Sequence, residues 1–117
     1  MALLIKTSDP NGLLADIKKK IDNHEIDTWS YDADNDFTHD VPQWARKAWI
    51  RPHIVEADCL IVFAMVGRKG VVMTKDVYSL YQGRFMEMLL KYYANAVDEM
   101  RVLLPLRNEF DVKNVDY

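Results

Sequence analysis

The chain has one cysteine, Cys59, among its 117 residues, so it cannot form an internal disulfide. No apolar run approaches the roughly 18 residues that a membrane span requires. Met1 to Lys6 carries no basic leader before its apolar residues, so we expect no secretory signal. These absences favour a cytoplasmic protein without a membrane partner.

Recognisable catalytic motifs are also missing. The sequence contains no nucleophile triad, no phosphate-binding glycine loop and no paired-cysteine metal site. Its 15 basic and 18 acidic residues give a net charge of −3, which makes a nucleic-acid partner unlikely as the default. Half of the residues are hydrophobic, as in ordinary globular proteins. We expect residues 1–105 to form a single domain and 106–117 to form a C-terminal tail.

The first 23 residues predict a strand followed by a helix. Ala2 to Lys6 is a short apolar run typical of a buried strand. Asp9 followed by Pro10 predicts a helix start, because an Asp cap accepts backbone N–H bonds and proline fits the first helical position. Apolar residues at helical spacing extend this helix to about Asn23.

The segment 26–40 concentrates the polar chemistry of the chain, with five acids, a histidine and three aromatics in fifteen residues. Its alternation predicts a β-hairpin, with Asp34 and Asn35 as the turn pair because both tolerate positive φ. Trp29 and Tyr31 share one face of the predicted first strand.

Two further strands and a long helix follow. The segments 47–55 and 59–66 predict strands, and the second is apolar on both faces, as expected of a central strand. Pro52 lacks a backbone donor and so predicts an edge or an interruption in the first of them. The apolar segment 71–73 is compatible with a short additional strand. Apolar residues at three- and four-residue spacing predict one helix from Lys75 to about Leu104, ended by Pro105.

This order, β-α-β-β-β-β-α, predicts an α+β fold with a largely antiparallel sheet of four to six strands and a long C-terminal helix. Both helices should pack on one face of the sheet. We expect Trp29, Tyr31 and Trp49 to lie with the apolar strand 59–66 on a second face that the helices leave uncovered. That much apolar surface favours a homodimer.

The acids Asp32, Asp34 and Asp36 follow the spacing of a calcium loop, but Phe37 replaces the required glycine and Gln43 the closing glutamate. A solvated acidic turn is the better interpretation, so no metal and no cofactor are expected. His39 has Asp36 and Asp40 nearby in sequence, although both acids point to the opposite strand face.

Aromatic and basic residues provide the remaining candidate binding sites. Trp44, Trp49 and Arg51, with His53, interleave rings and cations as single-stranded nucleic-acid platforms do. Arg84 on the long helix is a possible anion anchor, although an ion pair is the more common role of a surface arginine. The candidate partner- or ligand-binding residues are therefore Trp29, Asp36, His39, Trp44, Trp49, Arg51, His53 and Arg84.

Three functional hypotheses remain open. The first is a non-enzymatic binding or protein-interaction module that self-associates through an apolar sheet face or the long helix. The second is a small hydrolytic or metal-dependent enzyme that uses His39 with Asp36, Asp40 or His53. The third is nucleic-acid or small-ligand binding through Trp44, Trp49 and Arg51. The absence of a catalytic motif favours the first.

Overall fold

A computed structural model gives the conformation of the chain and describes residues 2–103. The described part is an α+β fold with two helices and one six-stranded antiparallel sheet, which confirms the predicted class. The elements are β1 (Ala2–Lys6), α1 (Pro10–Asp22), β2 (Trp29–Tyr31), β3 (Phe37–His39), β4 (Ala48–Val55), β5 (Leu60–Gly67), α2 (Lys75–Tyr93) and β6 (Glu99–Leu103). Neither helix has the length and apolar composition of a membrane span.

The strands lie in the order β2-β3-β4-β5-β1-β6, and all neighbouring strands of the described sheet are antiparallel. The strands from β2 to β5 form a continuous meander, because short connections favour neighbouring antiparallel strands. β1 lies between β5 and β6, with Leu3 opposite Phe63 on one side and Val102 on the other. The first strand of the chain therefore joins its last described strand to the sheet.

Both helices pack on one face of the sheet. Ile61, Phe63 and Met65 of β5 point into a single core with both helices, and each is at most 1% exposed. Val62 and Ala64 are also buried and alternate with these residues, so they lie on the opposite face. This pattern confirms that β5 is a central strand buried on both sides.

Side-chain caps begin both helices at the expected residues. The Asp9 carboxylate accepts a hydrogen bond from the Gly12 N–H at 3.0 Å, with Pro10 in the first helical position. At α2 the Thr74 hydroxyl accepts one from the Val77 N–H at 3.2 Å. These contacts give otherwise unpaired N–H groups a partner, so the helix starts follow from local chemistry.

The predicted end of the second helix was wrong. α2 ends at Tyr93, and the segment 99–103 forms the strand β6. Met100 fits the helical spacing, but it also alternates with Glu99 and Arg101, and it lies opposite Ile5 of β1. Pairing with β6 gives the backbone groups on the outer side of β1 hydrogen-bond partners. A longer α2 would leave those groups of β1 without them. The predicted tail, 106–117, lies outside the described residues.

Two further expectations were wrong in detail. Cys59 is not in a strand; it is exposed in the left-handed region at φ 53° and follows a one-turn helix, Glu56–Asp58. Trp29 and Tyr31 face the helices: the Trp29 ring packs on Phe85 of α2, and the Tyr31 hydroxyl donates to Asp22 of α1. The alternation of the hairpin was right, but sequence alone could not show which face the helices cover.

The sheet face opposite the helices is called the open face here. Trp49 lies on it as expected, because its neighbours Ala48 and Ile50 are buried in the core. Pro52 lies opposite Phe63 of β5, whereas β4 pairs with β3 at Ile50, which lies opposite Phe37. The strand is therefore interrupted on its β3 side, as the proline predicts. The part of the open face used below consists of Leu4, Trp49, Arg51, His53, Val55, Leu60 and Val66.

Candidate functional site

A cleft of about 670 Å³ lies between the β2–β3 hairpin, the loop before β4 and the second half of α2. We call it the hairpin–helix cleft. Four candidate residues from the sequence, Trp29, His39, Trp44 and Arg84, line it together. The rest of its lining is Glu25, Ile26, Asp27, Thr28, Val41, Pro42, Gln43, Glu87, Met88, Lys91 and Tyr92.

Trp29 forms the floor of the cleft. Its side chain is 2% exposed, and its ring centroid lies 4.7 Å from that of His39. The indole also makes edge-to-face contacts with Phe85 and Tyr81, at centroid distances of 5.0 and 5.9 Å. Such edge-to-face contacts fix ring orientation as well as burying apolar area, so the floor is held in place by the core.

His39 brings an imidazole of fixed orientation to the cleft. Its Nδ1 lies 2.9 Å from the carbonyl oxygen of Thr28, so the neutral ring carries its proton on Nδ1 and donates it to that oxygen. Its Nε2 then holds a lone pair and has no hydrogen-bond partner among the described residues. Because the residue lines the cleft, this nitrogen is available to a ligand there as an acceptor.

Burial lowers the pKa of His39 below its ordinary value, because the surroundings penalise the charged ring. The hydrogen bond to Thr28 acts in the opposite direction. Arg84 lowers this pKa as well, while Glu87 and Asp40 raise it. The net shift keeps the imidazole neutral at neutral pH, so it accepts a hydrogen bond rather than presenting a positive charge.

Charged residues of α2 form one wall of the cleft. Arg84 and Glu87 form an ion pair at 3.1 Å, with both side chains more than half exposed. The Tyr92 hydroxyl donates to the Glu25 carbonyl oxygen at 3.1 Å and so ties the helix to the segment before β2. An exposed ion pair contributes little to stability and can exchange partners, so this wall can offer either charge to a ligand.

The opposite rim is held by hydrogen bonds through Thr38 and Tyr81. The Thr38 hydroxyl donates to the Ala48 carbonyl oxygen at 3.0 Å and accepts from the Arg46 N–H at 3.0 Å. The Tyr81 hydroxyl lies 3.1 Å from Thr38 and donates to the carbonyl oxygen of Trp44. This buried network fixes the loop that carries Trp44 against α2.

The other four candidate residues lie elsewhere. The Arg51 guanidinium donates two hydrogen bonds to the Asp36 carboxylate, at 3.0 and 2.8 Å, and this contact raises the pKa of Arg51. Trp49 and His53 lie beside Arg51 on β4 and belong to the open face. Trp44 and Trp49 are therefore on different surfaces, and the proposed aromatic platform is divided.

The hairpin tip brings three carboxylates together. Ligand atoms of Asp32, Asp34 and Asp36 lie within 4.8 Å of one another. Asp32 also accepts hydrogen bonds from the N–H groups of Asp34 and Asp36, at 2.9 and 3.0 Å. Asn35 adopts a left-handed φ of 65°, as the predicted turn requires. The carboxylates converge more than the expected solvated turn suggests, but both oxygens of Asp36 are engaged by Arg51.

Sequence reasoning missed several residues of the cleft, including Glu25, Asp27 and Lys91. One signal was present: residues 84, 87, 88 and 91 recur at three- and four-residue spacing and so share a helix face. Nothing in the sequence shows that this face meets the hairpin, because that contact is set by the packing of α2 on the sheet. Compared with protein families, curated proteins and solved structures, the chain has no match.

Proposed function

We propose that this chain is a non-enzymatic binding module whose ligand site is the hairpin–helix cleft. The observation that carries the proposal is the convergence of Trp29, His39, Trp44 and Arg84 on one concavity, from three separate parts of the chain. Ligand sites are typically concave, mostly apolar and supplied with a few fixed polar groups. The cleft has an aromatic floor, one oriented imidazole and an exchangeable ion pair.

The ligand that fits this arrangement is a small polar molecule with a hydrogen-bond donor for His39 Nε2. A carboxylate on the same ligand would compete with Glu87 for Arg84, because a guanidinium binds carboxylates in a two-point geometry. The partly buried Trp44 ring offers an apolar contact at the rim.

The alternative is a small hydrolytic or metal-dependent enzyme. His39 lines the cleft, but Asp36 is bound to Arg51 and His53 lies on the open face. Among residues 2–103, the only cluster of three or more His, Cys, Asp and Glu side chains with metal-site spacing is at the hairpin tip. A catalytic base needs a reacting group and an orienting acid within reach. Since Asp36 and His53 are positioned away from His39, the cleft favours binding over catalysis.

The test is a nuclear magnetic resonance screen of the protein with small carboxylic acids that carry an N–H or O–H donor. We expect ligands to shift the indole N–H signals of Trp29 and Trp44. Arg84→Met should weaken binding about tenfold or more, since a hydrogen bond to a charged group contributes about 1.5–3 kcal/mol. Lys69→Met, in an exposed loop, is the control and should bind as the wild type does. If no compound shifts the cleft signals, or if both variants bind equally, the proposal is wrong.

The second candidate function is self-association through the sheet. It is favoured by the apolar side chains of Leu4, Trp49, Leu60 and Val66 on the open face, which neither described helix covers. Each of these side chains is half-buried, and partly accessible apolar surface of this kind often marks an interface. We expect light scattering to show a concentration-dependent dimer. Val66→Asp should shift it to monomer, whereas Val72→Asp, in a loop where the valine is 60% exposed, should not.

A further inference from the structure

We propose that two copies of this chain associate by antiparallel pairing of their β6 strands across a twofold axis, which joins the two sheets into one. This pairing rests on the self-association proposed above, but it places the interface at the β6 edge of the sheet and not on the open face. β6 lies at the end of the strand order, so one of its sides faces away from the sheet. Such an edge is a template for another strand.

The backbone of β1 establishes which groups of β6 point outward. The Thr7 N–H donates to the Cys59 carbonyl oxygen at 3.0 Å, in register with the pairing of β1 and β5. The Asp98 N–H donates to the Lys6 carbonyl oxygen at 2.8 Å. In an antiparallel sheet the backbone groups of successive residues point to opposite sides. Odd-numbered residues of β1 therefore face β5, and even-numbered ones face β6.

The same alternation continues into β6. Glu99 and Arg101 lie opposite even-numbered residues of β1, so their backbone groups are directed at β1. The N–H and C=O groups of Met100 and Val102 consequently point away from the sheet. Among residues 2–103 no strand pairs with this side of β6, so a second strand can bond these groups.

The charges on β6 favour the register that a twofold axis at Met100 gives. A twofold axis at Met100 places Glu99 of each copy opposite Arg101 of the other, in close pairs that share no backbone hydrogen bond. An axis at Arg101 would instead oppose two arginines, and one at Glu99 would oppose two glutamates. Arg101 and Glu99 already contact each other within one strand, and 70% and 43% of their side-chain surfaces are exposed.

The other face of β6 is compatible with the same register. Met100 packs against the core on the helix side, so two facing methionines would continue the core across the axis. Charges on an edge strand usually prevent pairing. Here their order, acid and base two residues apart, is complementary to its own antiparallel copy.

Charge reversal tests this register. Glu99→Arg opposes like charges at two places, and Arg101→Glu does the same; each should weaken the dimer about tenfold or more, given the energies of cross-strand pairs. The double variant E99R/R101E restores opposite charges and should dimerise like the wild type. Glu56→Arg carries the same charge change at an exposed residue outside β6 and serves as the control. Sedimentation equilibrium from micromolar to millimolar concentration measures the dimer dissociation constant of the wild type and of the four variants.

Hydrogen exchange supplies a second readout. As concentration rises, the amide of Met100 should become protected, whereas that of Arg101, directed at β1, should not change. A wild type that stays monomeric at every concentration overturns both this interface and the self-association on which it rests. A dimer that survives either single reversal but is lost in Val66→Asp keeps the self-association and overturns the β6 pairing.

Discussion

Arg51 holds Asp36 at two points, with Nε 3.0 Å from Oδ1 and Nη2 2.8 Å from Oδ2, and this ion pair joins β4 to the end of the acidic hairpin turn. The Asp36 side chain is only 6% exposed, while that of Arg51 is 46% exposed. The acid is thus withdrawn from the solvent by a neighbour on the adjacent strand. The pair distinguishes Asp36 from the other acids at the tip.

The first prediction concerns calcium. Because Arg51 engages both oxygens of Asp36, adding calcium should leave the melting temperature of the protein unchanged. A ligand that binds only the folded state raises the free energy of unfolding, by about 2.7 kcal/mol at a hundredfold excess over Kd. The melting temperature would rise with it. Differential scanning fluorimetry with and without calcium checks this. A rise of several degrees that Asp34→Asn abolishes would make the tip a metal site.

The same ion pair predicts a difference between neighbouring acids. Asp36→Asn should destabilise the fold by about 1–2 kcal/mol, since it weakens two charge-assisted hydrogen bonds on a partly exposed arginine. Asp34→Asn, at an exposed position, should change stability by less than about 0.5 kcal/mol. Urea denaturation of both variants measures the contrast. Equal destabilisation by the two substitutions would show that the ion pair of Asp36 with Arg51 does not stabilise the fold.

Stability should depend on pH through His39. Its folded-state pKa lies below the ordinary 6.5, so below pH 6.5 the unfolded chain binds a proton more readily than the folded one. The stabilisation is therefore complete above pH 6.5 and is lost as the pH falls toward the folded-state pKa. Urea denaturation across this pH range should show that the free energy of unfolding falls with pH, and that it falls less in His39→Gln than in the wild type. The control His24→Gln, at an exposed residue, should keep the wild-type slope.

Gln82 should be a stabilising position for substitution. Its side chain is 2% exposed within α2, and neither its Nε2 nor its Oε1 has a hydrogen-bond partner in the described structure. Burying an unpaired amide costs about 1–3 kcal/mol. Gln82→Met has a similar shape and no amide, so it should raise the free energy of unfolding by about 1 kcal/mol or more. A loss of stability in urea denaturation would contradict this account.

The two helical glycines should respond differently to substitution by alanine. At Gly83 a Cβ would meet nothing within 4 Å, so Gly83→Ala should stabilise α2 by about 0.5–1 kcal/mol through helix propensity. At Gly12 the same atom would lie 2.1 Å from an oxygen of Asp9, the residue that caps α1. Gly12→Ala should therefore bring no gain, because the cap must move. Thermal unfolding of both variants provides the comparison, and equal stabilisation would contradict it.

Local chemistry in the sequence was sufficient for most of the fold. The caps Asp9 and Thr74 establish where the helices begin, because each supplies an acceptor for N–H groups that have none inside the helix. Alternation along β4 and the two-sided apolar run of β5 establish their faces. These signals depend only on residues close together in the chain.

The tertiary structure decided what local patterns left ambiguous. Met100 satisfies both helical and strand spacing, and its strand conformation comes from pairing with Ile5, ninety-five positions earlier. Trp29 and Tyr31 had the right alternation, but only the packing of α2 and α1 determines that they face the helices. His39, Trp44 and Arg84 meet in one cleft because the hairpin docks beside α2. Contacts between residues far apart in the chain are formed by the whole core, so no single segment encodes them.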